Sequence, residues 1–148
     1  MATSRRREIV DYIITQLKTI DGTVSVYGYT FKTNLSQNVY KGLKYIDQIN
    51  DFPSIYVQAG TETYAYGSKT NTQGSIDLMI RLYTYEENSL YKLEDMMEDI
   101  THVLERIKFS QNHRIISSEL MSVDTDSGLL DPYGLGEIKV SVIYDVDD

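Results

Sequence analysis

The side chains with the chemistry to catalyse or to bind a metal are few and widely spaced. His102 and His113 stand eleven positions apart, the first inside a helical pattern and the second in a polar turn after it. A helical zinc pair needs imidazoles one turn apart on a single face, and no other strong ligand type clusters nearby. His102 follows Ile100 by two positions, off the apolar stripe, and reads as a surface residue. Asp124-Thr-Asp126-Ser-Gly128 opens like a calcium loop, but its glycine comes one position early, and Leu135 stands where a bidentate Glu is required. Gly67-Ser-Lys-Thr70 lacks the upstream glycine of a phosphate cradle, and no nucleophile elbow is present. The absence of Cys excludes thiol catalysis, disulfides and a thiolate zinc site. The carboxylates Glu86-Glu87 and Asp95, Glu98 and Asp99 fall where a helix opens and on its outer surface, so solvation and the helix dipole account for them. The expectation is a chain without catalytic residues, cofactor or metal.

The composition turns attention to surfaces. The chain has 148 residues, and at that length it buries roughly 69% of the surface its unfolded form exposes, enough for one domain over 1–148 with a real core. No apolar run is long enough for a signal peptide or a membrane span, so no membrane partner is expected. With 22 acidic against 14 basic residues, the net charge of −8 repels nucleic acid phosphate, which excludes a sequence-reading DNA binder. Thirteen Tyr against three Phe suits half-buried sheet faces and contacts that become buried on assembly, because Tyr combines apolar area with a polar tip.

The elements that must position these residues follow from periodicity. Ile9, Ile13, Leu17 and Ile20, widened by Val10 and Ile14, predict a helix over 4–20 with Ser4 as its cap and Asp21-Gly22 as its stop. Arg5, Arg6 and Arg7 sit in its first turn, where the dipole disfavours cations, so local stability does not explain them. Residues 23–27 form a short candidate strand, and 28–51 read as irregular, with weak apolar patches at 39–40 and 43–49. A strand is expected at 52–58, started by Pro53, and a hairpin arm or flexible loop at 60–74 with a polar tip. The clearest strand is 75–85, where Ile76, Leu78, Ile80 and Leu82 face one way. Asn88 or Ser89 then caps a second helix with the stripe Leu90, Leu93, Met97, Ile100, Leu104 and Ile107. Strands at 114–126 and 137–144 close the chain as a hairpin with a long loop, and an acidic tail follows. The order predicts an α+β fold, a mainly antiparallel β-sheet with both helices on one face.

The order of elements and several short phrases resemble a known family. These are the amphipathic N-terminal helix, Phe52-Pro-Ser-Ile-Tyr-Val57, the strand ending Tyr83-Thr-Tyr85, the long helix from Asn88, and the closing hairpin with Asp124-Thr-Asp126-Ser-Gly128 and Pro132-Tyr-Gly134. Over nearly its whole length the chain resembles the tail terminator, or tail completion, family of long-tailed bacteriophages, with relatives among minor tail and tail-to-head joining proteins. The resemblance implies a homohexameric ring in the virion that caps the tail tube, stops its growth and offers a surface to the head connector. Genomic DNA would pass through its lumen without specific binding. The energy of such contacts concentrates in a few anchors. The candidates are Tyr27, Tyr29, Phe31, Tyr64 and Tyr66 in the irregular arms, with Arg5, Arg6 and Arg7 or Arg81 pairing across subunits. Two other readings stand beside this one: a head-completion adaptor on the portal side, with a different ring number, and a small-molecule-binding or enzymatic α+β domain.

Overall fold

The computed structural model describes residues 5–25, 27–42, 44–45, 48–66, 72–107, 115–126 and 132–145, the side chain of Tyr66 excepted. Helix α1 spans Arg5–Leu17 and buries Ile9, Val10, Ile13, Ile14 and Leu17, the i, i+4 stripe read from the sequence. Its end tightens through the N–H groups of Thr19 and Ile20, which donate to the Gln16 and Leu17 carbonyls at 3.1 Å, and Gly22 then turns the chain at φ 84°. Ser4, expected as the cap, lies outside the described residues.

Five strands form one sheet in the order β1-β2-β3-β5-β4: β1 Val39–Lys41, β2 Ser54–Tyr66, β3 Thr72–Tyr85, β4 Ile115–Thr125 and β5 Tyr133–Asp145. The pairs β2/β3, β3/β5 and β5/β4 are antiparallel, and only β1 runs parallel to its neighbour. Register aligns the apolar faces: Val57 lies opposite Ile80, Ile80 opposite Ile138, and Leu78 opposite Val140. The same face of the sheet receives both α1 and α2 (Ser89–Glu105) in one core that includes Ile13, Leu17, Leu93 and Ile100. This is the expected α+β architecture. Each large aliphatic side chain fully buried there contributes about 1.5–3 kcal/mol. Helix α2 approaches β5 closely because Gly134 and Gly136 lack side chains: a Cβ at Gly136 would lie 2.9 Å from Met97 Cε, and one at Gly134 would lie 3.0 Å from Ser89 Cβ.

Several local expectations change. The described residues of the stretch 23–27 make no strand; two isolated bridges, Asp21–Asn34 and Val24–Thr30, tie the loop together. The irregular stretch contains β1, too short to show any alternation. The second helix begins with Asn88 in the left-handed region, φ 58°, without a side-chain capping hydrogen bond, and Glu86 and Glu87 lie before its first turn. The arm is an extension of β2 and β3, paired from Glu62–Ile76 out to Tyr66–Thr72 after a register shift between Ala59 and Glu62; its tip, 67–71, lies outside the described residues. The opposite sheet face is not wholly solvated either. Ile49, Tyr56 and Tyr83 form a second buried cluster there, with Tyr40, Phe52 and Leu135 at its margin.

Candidate interaction surfaces

The loop after α1 carries three of the expected anchors, and a buried carboxylate holds it. Asp99, on α2, is fully buried. It accepts hydrogen bonds from the Tyr29 hydroxyl at 2.9 Å, the Lys32 N–H at 3.0 Å, the Thr33 N–H at 2.8 Å and the Thr33 hydroxyl at 2.6 Å. These donors replace the water the carboxylate loses, which is what makes its burial tolerable. Burial and the bond to Asp99 raise the Tyr29 pKa, and Lys32, paired with Glu98 at 2.8 Å, is raised to about 12. The reading of Asp99 as a helix-surface acid is therefore corrected. So is that of His102, which is buried, stacks on Tyr29 with ring centres 4.2 Å apart, and meets Phe31 edge-on at 5.7 Å. Burial, followed by the charge of Arg106, lowers its pKa. Phe31 belongs to the main core and Tyr29 packs against it, whereas Tyr27 is 65% exposed, with the Arg106 guanidinium 5.2 Å from its ring centre.

Beside this loop lies a groove of about 550 Å³ lined by residues that include Tyr12, Ser25, Tyr27, His102 and Arg106. Ser25 Oγ is 3.1 Å from His102 Nε2, the first two members of a hydrolytic relay. Both Asp99 oxygens are engaged by the loop, so the relay has no orienting carboxylate from that residue. Among the described residues no group of three or more His, Cys, Asp or Glu could hold a metal ion. No described helix is long and apolar enough to cross a membrane.

The arginines of α1 fasten the root of the arm within the same subunit. Arg6 pairs with Glu62 at 3.2 Å and donates to the Gly60 carbonyl at 2.5 Å, while Arg5 donates to the Asp145 carbonyl at 2.8 Å. Glu62 also receives the hydroxyls of Tyr64, at 3.1 Å, and of Tyr144. Burial works to raise the Glu62 pKa, but the bonds from Tyr144, Arg6 and Tyr64 outweigh it and the net shift is downward. Tyr144 moves up, through burial and then through Glu62. Arg7 lies on the exposed side of α1, and Tyr64 remains half exposed. Arg81 faces Glu137 at 3.6 Å on the helix-free side of the sheet. Tyr66 ends β2, and its side chain lies outside the description. The structure thus joins Arg6 and Tyr64 in one cluster, Tyr27, Tyr29 and Phe31 in another, and leaves Arg81 apart from both.

Two surfaces escaped the sequence reading. One is the outer side of β4, which ends the sheet and carries Met121, 61% exposed, and Val123, 45% exposed. The other is an aromatic corner made by Phe52, Tyr85 and Tyr133, whose ring centres lie 4.6–6.0 Å apart. Alternation marks only which residues leave the core; three aromatics distant in sequence converge only once β3 and β5 are in register, with Tyr85 opposite Tyr133.

Comparison with known proteins agrees with this picture. The family described as Bacteriophage Tail Tube Terminator Protein matches residues 3–148. The tail tube terminator protein p142 of Escherichia phage T5 is 33% identical over 155 residues, covering 96% of this chain and 92% of that one. Among solved structures, a chain from the virion of a native gene transfer agent particle shares the fold at 13% identity, with a TM-score of 0.51 over 74% of this chain and 80% of that chain. A family match over almost the whole length, together with a relative one-third identical over nearly all of both chains, leads to one conclusion: the chain belongs to the bacteriophage tail tube terminator family, the structural proteins of the virion tail.

Proposed function

We propose that the protein assembles as a closed ring, six-membered as the family resemblance implies, which caps the last ring of the tail tube, ends its polymerisation and offers its other face to the head connector. The observation that carries this reading is the unlike construction of the two sides of the sheet. A ring built from head-to-tail contacts needs two different surfaces on each subunit. One side is covered: β1 pairs with β2 over Val39–Lys41, and beyond it side chains occupy the strand's outer carbonyls, Gln58 Nε2 on Ala59 at 3.2 Å and Arg6 on Gly60. The β4 side ends the sheet, with no further strand among the described residues, and apolar side chains are exposed upon it. Strand edges of this kind take a partner unless blocked.

The net charge of −8 suits a lumen through which DNA slides without specific binding. Electron microscopy of the purified protein, alone and with tail tubes, tests the reading. Rings seated on tube ends, with tubes that no longer lengthen, are expected; a protein that leaves tube ends bare overturns it. Native mass spectrometry gives the ring number, and a twelve-membered ring on the portal side would favour the head-completion role instead.

A further inference from the structure

The aromatic corner and a basic groove on the same chain are complementary. Tyr85 is 53% and Tyr133 41% exposed although each packs on the other and on Phe52. Mutually ordered rings that remain open to solvent have little rotamer freedom left to lose on contact, the property of an interface anchor. Carboxylates surround them. Asp51 adjoins Phe52, and the Glu86 N–H donates to the Pro132 carbonyl next to Tyr133, which places the exposed Glu86-Glu87 pair at the rim.

On the β1 side, α1 and β2 enclose a groove of about 230 Å³ whose base is closed by the buried Val10 and Val57, with half-buried Ala59 beside them and a rim of Arg6, Arg7 and Lys41. Lys41 is held in an exposed pair with Asp11 at 3.1 Å, the kind that contributes little and exchanges readily, while Arg6 is held in a part-buried pair with Glu62 at 3.2 Å.

From these two surfaces we infer that the acid-rimmed aromatic corner of one copy docks in the basic groove of the next. The corner lays its rings on Ala59 and the aliphatic stems of Arg6, Arg7 and Lys41, and its carboxylates meet the groove's cations. The two surfaces share no residue, so the contact is head-to-tail and each copy retains one of each. Electrostatic complementarity fixes the register, because corner against corner brings carboxylates together and groove against groove brings cations together. The inference rests on the ring reading and names the surfaces by which neighbours join.

The test uses the full chain and native mass spectrometry, alone and on tail tubes. Reversing the corner's rim with Glu86→Lys and Glu87→Lys weakens association about tenfold or more, and reversing the groove with Arg7→Glu and Lys41→Glu does the same. An equimolar mixture of the two double variants restores rings, in which the two kinds alternate, and so does one chain carrying all four substitutions. Tyr85→Ser weakens association without changing charge, and circular dichroism checks that every variant stays folded. Rings that persist in either double variant, or a mixture that fails to recover, overturn this inference and leave the ring reading standing. Wild-type protein that stays a single subunit both alone and on tubes overturns the ring reading itself.

Discussion

Two carboxylates tie irregular segments to helices, and they do so in opposite ways. Asp99 is fully buried and takes two of its donors from the backbone at Lys32 and Thr33, so the loop that bears Tyr29 and Phe31 becomes part of the core. Glu62 keeps 18% of its side chain exposed and takes its donors from the side chains of Arg6, Tyr64 and Tyr144, so the arm is steadied at its root by side chains alone. The difference lies in what must move for the contact to break. Opening the Asp99 clamp strands buried N–H groups, which costs about 1–3 kcal/mol for each group left unsatisfied. Releasing Glu62 lets the part-exposed Arg6 and Tyr64 return to water, where an exposed ion pair is worth about 0–1 kcal/mol, and leaves only the buried Tyr144 hydroxyl to find another acceptor. The first segment is built to stay and the second to be rearranged.

The largest expected effect comes from breaking the clamp. Asp99→Ala destabilises the fold by about 3–5 kcal/mol in denaturant titration, and Asp99→Asn rescues little, because its amide presents a donor to the Lys32 and Thr33 donors. Equal stability of Asp99→Ala and wild type would erase the contrast. The second effect is acid sensitivity in the same loop. His102 has its pKa lowered by burial, so below about 6.5 the unfolded chain binds a proton that the folded chain resists, and stability falls as pH drops through that region. His102→Phe removes this part of the pH dependence, as thermal melts at pH 7.5 and 5.5 will register. A third and smaller effect is expected at the arm. Glu62→Gln costs about 1 kcal/mol or less, yet speeds amide exchange in residues 60–66 and 72–76 selectively. The stability due to Glu62 is present above its ordinary value near 4.5 and is lost as pH falls through its lowered folded value, well below the range in which His102 acts. The smallest change is Arg6→Ala, which frees the Gly60 carbonyl and raises exchange at the arm's root with little effect on global unfolding.

The contrast also explains what the sequence could disclose. Alternation in β3 and β5 and the helical stripes are direct images of burial, and Ile76, Leu78, Ile80, Ile138, Val140 and Val142 are all in the core as their spacing requires. The stripe drawn on α2 was too narrow. Met96 and Val103 are buried along with Leu93, Met97, Ile100 and Leu104, and that wider arc takes in Asp99 and His102. The signal was present, since Met96, Asp99 and Val103 follow the i, i+3, i+7 rule, but a carboxylate on that line reads as solvated until its donors are known. Those donors come from residues 66 to 70 positions away in the chain, and no local pattern records them. Strand β1 escaped because three residues cannot display a period. Part of the Tyr excess lies deeper than a half-buried sheet face: Tyr56, Tyr83 and Tyr144 are buried, and the hydroxyls of Tyr83 and Tyr144 reach the Lys44 carbonyl and Glu62.

Strand β1 ends at Lys41, and past that point the border of β2 is guarded by a guanidinium and an amide rather than by another strand. Two swinging side chains withdraw in nanoseconds and without unzipping a ladder, whereas peeling off a paired strand requires breaking all its rungs together. The cover on that flank is therefore made of separate side chains, each of which can lift without the other.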